Sequence, residues 1–379
     1  MTLSLSDVRF RANPCVELKS LGELAPEQRE RFLELENDPE FYGLLIAKPP
    51  LAMNLKSVAK ETAELIRALH APAVVDPSIV GDDLFDLVLD GILEIEHGDD
   101  FVCGADALSL VNASLAIPEP RDVIARLSHD ALLHAQDLET NDPQALTSAL
   151  YLFNRIPISP FWRARFPTRD AILTHLGADR GALRALLERE WTASQTMQGW
   201  LSWRAKSATV RQSSDVTYKL YVSPRPERIR DAFEIVVRVL SGFPGTPFKI
   251  GDSVAGLLRP DKFVAYFTTR AELDEAADAL RRELAGCDAH GVPFSASVDD
   301  AGLVSWGVDP PDDERALRWL AGNSWRYWIV QRLASALAIA KGARGAGAIE
   351  PWQFAIARAQ RHGVDVETWT PSAALWSTS

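Results

Sequence analysis

Hydrophobic and polar positions follow a helical period in the first part of the chain. Apolar residues at intervals of three and four predict an amphipathic helix over residues 54–69, and residues 80–91 predict a shorter helix closed by glycine. Residues 92–103 then alternate around a His-Gly-Asp-Asp turn, which is typical of a hairpin. Helix, helix and hairpin in this order predict a winged-helix-like domain in residues 1–118.

The helical period continues through the middle of the chain. Residues 119–204 predict helices throughout, with Asp142 before a proline and Thr168 as N-terminal caps. Residues 206–215 are polar and only weakly periodic, which is typical of a linker or an exposed edge. We therefore expect a helical region at residues 119–206.

A two-residue period appears in the last part of the chain. Three short runs at residues 218–224, 247–250 and 258–267 alternate as strands do, and antiparallel pairing is expected between them. The helices expected around them are residues 226–240, 269–284, 325–340 and 351–362. The predicted fold class is α+β: an acidic winged-helix-like domain, a helical middle region and a C-terminal α+β domain at residues 207–379 with an antiparallel sheet.

Charge is distributed unevenly along the chain. The net charge is −12, and residues 1–120 contain 22 of the 52 Asp and Glu residues but only 9 of the 40 Lys and Arg residues. Winged helices often bind DNA, but such an acidic one would repel a duplex unless it had a local basic face. The charge therefore argues against a nucleic-acid partner and favours a protein-binding or structural role for residues 1–118.

Composition sets the class and the expected compartment. Hydrophobic residues make up 47% of the chain and charged residues 24%, as in globular proteins. No stretch is long and apolar enough for a membrane span, and the N-terminus lacks the pattern of a signal peptide. Cys15, Cys103 and Cys287 are far apart and odd in number, so neither a disulfide framework nor a zinc site is expected. We expect a cytoplasmic protein without a bound metal.

Cations and phenols interrupt the apolar pattern of the three strand runs. Lys219 and Tyr221 alternate with apolar residues and share one face of the first run, while Lys249 lies opposite its apolar neighbours in the second. The third run adds Arg259 and Lys262. If the strands pair, these groups meet as an anionic ligand such as phosphate requires. The alternative is that they are the solvated face of a half-exposed sheet.

The same runs also carry a family resemblance. Tyr218-Lys-Leu-Tyr-Val-Ser223 followed by a helix, then Phe248-Lys-Ile250, then Arg-x-x-Lys-Phe-x-x-Tyr starting at Arg259, resembles the core of the phosphothreonine lyases. These enzymes occur as type III secreted effectors, as lyase domains of class III and IV lanthipeptide synthetases, and as HopA-type proteins of peptide natural-product clusters. Residues 291–296, 302–307 and 324–326 resemble the C-terminal part of the HopA-type proteins, so the similarity covers roughly residues 215–370.

The resemblance implies a role for each residue that matches it. Lys249 would be the base that removes the Cα proton of a phosphothreonine or phosphoserine, with its pKa lowered by burial or by nearby cations. Arg259 and Lys262 would hold the phosphate, and Lys219 would lie nearby as a further phosphate or backbone contact. No metal or other cofactor is implied, since cations of the protein would stabilise the charge.

Two positions depart from the family pattern. Tyr221 stands where the effector enzymes place the histidine that acts as general acid; a phenol can also donate a proton, especially beside cations. The arginine that these lyases carry in a late strand has no match in residues 304–308, and Arg326 or Arg332 could replace it.

The resemblance therefore favours a lyase that eliminates phosphate from a phosphorylated precursor peptide in ribosomal peptide maturation. A separate kinase would supply the phosphate, because the chain shows no kinase signature. The winged-helix-like domain would suit a leader peptide bound by strand addition. One alternative is a non-catalytic scaffold of the same fold that binds a phosphopeptide or a precursor peptide, which Tyr221 favours. The other is an acidic winged-helix regulator with a ligand-sensing C-terminal domain, which the charge disfavours.

Overall fold

The computed structural model describes residues 8–75, 83–111, 117–194, 198–206, 217–310, 324–343 and 349–372. Helices are combined with antiparallel sheets, in agreement with the predicted mixture of helix and antiparallel strand. Most of the predicted polar linker, residues 207–216, lies outside the described residues. Across these ranges no helix has both the length and the apolar character that a membrane span requires.

Two small antiparallel sheets form the N-terminal part. Its strands are β1 (Arg9–Ala12), β2 (Val16–Ser20), β3 (Phe41–Ala47), β4 (Lys56–Ala59), β5 (Ala73–Val74), β6 (Leu93–His97) and β7 (Asp100–Val102). Its helices are α1 (Pro26–Arg29), α2 (Lys60–Ala68), α3 (Asp83–Leu89) and α4 (Leu108–Val111), with 3-10 segments at Leu21–Glu23, Glu30–Asn37 and Gly104–Ala107. One sheet has the strand order β5-β1-β6-β7 and the other β2-β3-β4.

The predicted order of helix, helix and hairpin is present here, with one boundary moved. Strands β6 and β7 pair as the predicted hairpin. Helix α2 begins at Lys60 rather than Asn54, because residues 56–59 are extended as β4 and pair with β3. Backbone pairing in the sheet therefore overrides the helical spacing of residues 55–59. The three-stranded sheet was not anticipated, and the winged-helix interpretation stays a prediction.

The middle region is helical up to Glu190. Its helices are α5 (Val123–Asp137), α6 (Pro143–Leu152), α7 (Pro160–Arg165), α8 (Arg169–Leu176) and α9 (Gly181–Glu190). Asp142 and Thr168 cap helices α6 and α8 by accepting backbone N–H bonds, as predicted. The prediction of helix as far as residue 204 was wrong, because residues 191–194 and 200–205 are strands that join the large sheet.

A seven-stranded antiparallel sheet organises the C-terminal part. Its strands are β8 (Trp191–Ser194), β9 (Trp200–Ala205), β10 (Tyr218–Val222), β11 (Phe248–Gly251), β12 (Phe263–Phe267), β13 (Ala296–Ser297) and β14 (Val304–Val308), in the order β13-β14-β10-β12-β11-β9-β8. A small hairpin, β15 (Val364–Asp365) and β16 (Thr370–Pro371), lies near the end of the chain. The helices are α10 (Ile229–Leu240), preceded by the 3-10 segment Pro226–Arg228, then α11 (Val254–Leu257), α12 (Arg270–Glu283), α13 (Trp325–Lys341) and α14 (Pro351–Arg361).

One face of this sheet packs against helices α10 and α12 through apolar side chains. Leu220, Phe248 and Phe263 come from three neighbouring strands, and Phe233 of α10 and Leu273 of α12 pack with them in one buried cluster. These residues are the apolar halves of the alternating strands and of the amphipathic helices. The polar halves of β10, β11 and β12 therefore point to the opposite face.

Helices α13 and α14 form a second core with α5 and α6, next to that opposite face. Trp325 at the start of α13 packs against Gly307 of β14, where a Cβ would lie only 2.9 Å from its ring. Trp325 also donates its indole N–H to the carbonyl of Trp369. The close approach fixes the first turn of α13 against the sheet, and it places Arg326 beneath the sheet.

Lys262, just before β12, is completely buried. Its Nζ lies 2.8 Å from His290 Nδ1 and 3.3 Å from the hydroxyl of Ser223, and His290 Nε2 donates to the carbonyl of Asn154. Burial lowers the pKa of Lys262 to about 7, and burial together with Lys262 lowers that of His290 to about 3. The lysine therefore keeps a charge in the fold only at an energetic cost.

We expect Lys262→Met to stabilise the protein at pH 6 by on the order of 1 to 3 kcal/mol, because the buried charge is removed. In the wild type, the folded-state pKa of Lys262 lies below its unfolded value of 10.5, so stability should rise with pH between about 7 and 10.5. The stability of the Lys262→Met variant should lack this rise with pH. Denaturant unfolding of both proteins from pH 6 to 9 measures the difference. If the difference in free energy of unfolding between the variant and the wild type does not become smaller as the pH rises, the lowered pKa of Lys262 is contradicted.

Candidate active site

The three predicted strand runs lie side by side. Strand β12 pairs with β10 on one side and with β11 on the other, which places Lys219 opposite Tyr266, and Tyr221 and Lys249 on either side of Val264. All these side chains project from the sheet face that α10 and α12 leave uncovered. The predicted pairing is confirmed, and it brings two lysines and two phenols together on one face.

Lys249 is the cation with the most unusual surroundings. Its Nζ lies 4.1 Å from the ring centre of Trp200 and 5.5 Å from that of Tyr266, and no described residue gives it a hydrogen bond or an ion pair. Burial is the main cause that lowers its pKa, to about 8, and the charges of Lys219 and Arg259 add to the effect. About a fifth of the amine is therefore neutral near physiological pH and able to accept a proton, far more than for an ordinary lysine.

Lys219 and Tyr221 form the floor of the site. Lys219 is buried and makes an ion pair with Asp309, with 2.5 Å between Nζ and Oδ1. Tyr221 is 2% exposed, and its hydroxyl has no hydrogen-bond partner among the described residues. Burial raises the pKa of this phenol well above 10, although the charge of Arg326 opposes the shift. Tyr221 is therefore protonated at neutral pH, with an unused donor.

Asp261 holds two arginines beside the lysines. Arg259 donates to both carboxylate oxygens, at 2.5 and 2.8 Å, and its Nη2 also lies 3.1 Å from the hydroxyl of Tyr151. Arg326 Nη1 lies 2.9 Å from Asp261 Oδ2 as an ion pair, and its other nitrogens donate to the carbonyls of Pro293 and Tyr151. Burial opposes ionisation of Asp261, but the two guanidinium groups outweigh it and lower its pKa to about 2.

The two arginines differ in what they can reach. Arg326 is fully buried, and all its nitrogens face protein groups, so it supports Asp261 from below. Arg259 keeps about a fifth of its side chain exposed, and its Nη1 makes no hydrogen bond to a described residue. Trp200, whose ring lies 5.1 Å from Arg259 Cζ, joins it at the open side of the site, next to Lys249. Arg259 is thus the arginine placed to meet a ligand.

Cations outnumber carboxylates in this cluster. Lys219, Lys249, Arg259 and Arg326 face only Asp261 and Asp309 among the described residues. The excess is compensated by aromatic rings rather than by acids, since Trp200 and Tyr266 cover the ammonium of Lys249. A site of this kind favours an anion that enters from the open side.

Two residues predicted as phosphate contacts lie away from this opening. Lys262 is 0% exposed, and its ammonium is enclosed by Ser223 and His290. It lies one residue before β12, where its carbonyl still accepts from the backbone N–H of Gly251 in β11. Arg326 is likewise enclosed. In this conformation the residues brought together at the open side are Lys249 and Arg259, with Lys219 and Tyr221 beneath them.

Sequence reasoning missed several residues of the site. Trp200 was assigned to a helix, although the tryptophans at 200 and 203 with alternating neighbours are a strand signal. Asp261 stands inside the quoted motif between Arg259 and Lys262, but the motif gives this carboxylate no role. Tyr151 and Asp309 reach the site only through tertiary contacts. No sequence signal marks them.

The structure offers no preformed place for a metal ion in its described ranges. No group of three or more His, Cys, Asp or Glu side chains is close enough to hold one. Cys15, Cys103 and Cys287 are free thiols. What the cluster supplies is a weakly basic amine, a protonated phenol and fixed cations, which together suit proton transfer next to a bound anion.

Comparison with known proteins finds only remote structural similarity. No protein-family model and no curated protein matches the sequence. An effector protein from Pseudomonas syringae pv. tomato strain DC3000 aligns with a TM-score of 0.39 and 12% identity, over 66% of this chain and 98% of that one. An effector from P. syringae pv. syringae strain 61 gives 0.40 and 11%, over 67% and 99%. A solved phosphothreonine lyase gives 0.27 and 10%, over 57% and 99%. The relationship is remote, and it establishes no shared activity.

Proposed function

We propose that this protein is a lyase that eliminates phosphate from phosphothreonine or phosphoserine in a peptide and leaves a dehydroamino acid. The observation that carries the proposal is Lys249: an amine with a pKa of about 8, free of ion pairs within the described chain and adjacent to Arg259 on a cationic sheet face. Elimination needs such a base within reach of a site that holds the phosphate.

The proposed reaction has two coupled bond changes. The neutral amine of Lys249 takes the Cα proton, and the electron pair of the C–H bond forms the Cα=Cβ double bond. The Cβ–O bond breaks, and its electrons leave with the phosphate oxygen. Arg259 binds the phosphate through its unused Nη1, and Lys219 lowers the energy of the negative charge from below. The products are the dehydroamino acid and inorganic phosphate.

Tyr221 is the proposed proton donor to the leaving oxygen. Its phenol is protonated at neutral pH because burial raises its pKa, and its hydroxyl is not consumed by another protein group among those described. Transfer of a proton to a departing phosphate becomes favourable as negative charge builds on that oxygen. The hydroxyl is buried in the present conformation, so substrate has to displace the side chains above it.

The partners of the reaction remain as the sequence resemblance implies. The substrate is a precursor peptide of ribosomal origin, phosphorylated beforehand by a separate kinase, and the N-terminal part of the chain binds a leader segment. The alternative function is a scaffold that binds a phosphopeptide or a precursor peptide without turnover. One observation favours the alternative: the buried hydroxyl of Tyr221 lies beneath the open side of the site rather than in it.

A mass assay separates the two functions. The purified protein is incubated with phosphothreonine and phosphoserine peptides, and a thiol traps any dehydroamino acid formed. A lyase removes the mass of one phosphoric acid and yields the thiol adduct. A scaffold binds the phosphopeptide more tightly than its unphosphorylated form and leaves the mass unchanged. The absence of both turnover and phosphate-dependent binding would exclude both functions.

We expect Lys249→Ala to lower turnover by at least about 100-fold, because the base is lost. The fold should be retained, because the substitution removes a charge that neighbouring cations repel. Lys60→Ala, at an exposed position of α2, is the matched control. In the wild type, kcat/KM should rise about tenfold per pH unit below pH 8 and level off above it, since the amine must be neutral. A pH profile without a rise between 6.5 and 8 would remove Lys249 as the base.

For Tyr221→Phe we expect a rate about 10 to 100 times lower with no loss of thermal stability. The hydroxyl makes no hydrogen bond to any residue that the structure describes, so its removal leaves none of them unsatisfied. Turnover and thermal unfolding are measured on the same preparation. An unchanged rate would assign proton donation to another group, and an unfolded variant would show that the hydroxyl has a structural partner.

Arg259→Ala should raise the Kd for phosphopeptide about tenfold or more and leave the affinity for the unphosphorylated peptide unchanged, because the lost contact is to phosphate. Arg270→Ala, on α12 across the sheet, is the control. Arg259→Lys keeps the charge but not the paired N–H groups that hold Asp261. Its Kd for the phosphopeptide should therefore lie between those of the wild type and Arg259→Ala. Titration calorimetry gives each Kd. Equal phosphate dependence in Arg259→Ala and the wild type would refute the assignment.

A further inference from the structure

A separate cleft of about 950 Å³ lies between the N-terminal three-stranded sheet and helices α6, α13 and α14. Lys56 and Ser57 of β4 line one side, and Gln331, Arg332 and Ser335 of α13 line the other. None of these residues belongs to the candidate active site. The volume is at the upper end of the range for small-molecule pockets and accommodates several amino-acid residues.

The cleft carries positive charge in an otherwise acidic part of the chain. Lys56, Arg332 and Arg358 line it, with Asp90 as the one carboxylate among the described lining residues. Asp90 accepts from both Lys56 and Arg358, and the buried Arg358 also donates to Asp86, so Lys56 and Arg332 are the cations that the cleft offers to a ligand. Arg332 is held over the ring of Trp328, with its Cζ 3.6 Å from the ring centre, so its position is fixed. This charge pattern is complementary to an acidic ligand.

The outer edge of β4 makes the cleft suitable for an extended chain. The sheet order is β2-β3-β4, and within the described parts of the chain no strand pairs with the far side of β4. Unpaired strand edges present N–H and C=O groups that bind an added strand. The half-exposed Leu55 before β4 adds apolar surface beside these polar groups. Alternating polar and apolar contacts are what an extended peptide requires.

The same two helices connect this cleft with the candidate active site. Helix α6 carries Gln144 in the cleft and Tyr151 in the site, and helix α13 carries Arg326 in the site and Ser335 in the cleft. At a rise of about 1.5 Å per residue, these pairs are separated by about 10 to 14 Å along the helices. An extended peptide would cover this separation with about three to four residues, which is a lower limit because Arg326 lies at the enclosed base of the site.

We infer that the cleft binds an acidic, extended segment of the peptide substrate, separated by at least about four residues from the residue that enters the active site. The link between the two positions rests on the proposed function. The ability of the cleft to bind an acidic peptide does not, so the two can be tested apart.

The binding test uses a fluorescent, unphosphorylated peptide of about ten residues with alternating Glu and Leu, and its Lys and Leu counterpart. The wild type should bind the acidic peptide and not the basic one, and Arg332→Glu should weaken binding at least about tenfold. Arg332→Gln removes the charge without reversing it, so its affinity for the acidic peptide should lie between those of the wild type and Arg332→Glu. Arg281→Glu, on α12 across the large sheet, is the matched control and should bind as the wild type does. Equal affinity in the wild type and Arg332→Glu, or no binding to the wild type, would overturn the inference.

The second test joins the acidic segment to a phosphothreonine through spacers of one to about eight residues. The KM should fall sharply above a threshold spacer of at least about four residues, because both sites can then be occupied at once. Arg332→Glu should abolish this dependence on spacer length. A spacer-independent KM with intact binding of the acidic peptide would place another ligand in the cleft. Absence of turnover for every peptide, with binding intact, would refute the proposed lyase activity and leave the cleft as an acidic-peptide site.

Discussion

The carboxylate of Asp261 is the contact on which the site depends. It lies just before β12 and binds Arg259 of the preceding turn and Arg326 of α13, while the hydroxyl of Tyr151 of α6 donates to it as well. One buried anion therefore joins the large sheet to two helices of the second core. Removal of the carboxylate would leave two guanidinium groups in a buried environment without their counter-charge, and such a loss costs several kcal/mol. This charge stabilises the position of the two helices against the sheet.

The same carboxylate sets the electrostatic balance at Lys249. Asp261 raises the pKa of Lys249, whereas burial and the charges of Lys219 and Arg259 lower it, and the net value is about 8. A stronger influence of the carboxylate would raise this pKa further and leave very little neutral amine to act as a base at neutral pH. Stronger burial without compensating groups would remove its affinity for an anion. Because Asp261 is occupied by its two arginines, its influence on Lys249 is moderated, and the amine can serve near physiological pH.

Local pattern predicted the strands of the site but not the contacts across it. Alternation around Lys219, Tyr221 and Lys249 was sufficient to assign their face, because the side-chain period of a strand is fixed. For Lys262 the same rule gives a side of the sheet, but it does not reveal that Ser223 and His290 enclose the ammonium. Trp200 was not expected in the site, because the predicted helical region included the residues of β8 and β9. The contacts of Asp261 with Arg326 and Tyr151 join residues distant in sequence, and only the packed structure reveals them.

The two faces of the central sheet follow different physical rules, although they are built from the same strands. One face of β10, β11 and β12 is apolar except for the phenol of Tyr218 and packs against α10 and α12, as stability alone demands. Counting only the residues that the structure describes, the other face contains a buried phenol without a partner, an amine with a lowered pKa and more cations than carboxylates. Each of these features costs folding free energy, and an apolar face covered by α13 would avoid all three. Costs that meet at one place in an otherwise well-packed sheet are typical of a binding or catalytic site, where a ligand supplies the missing partners.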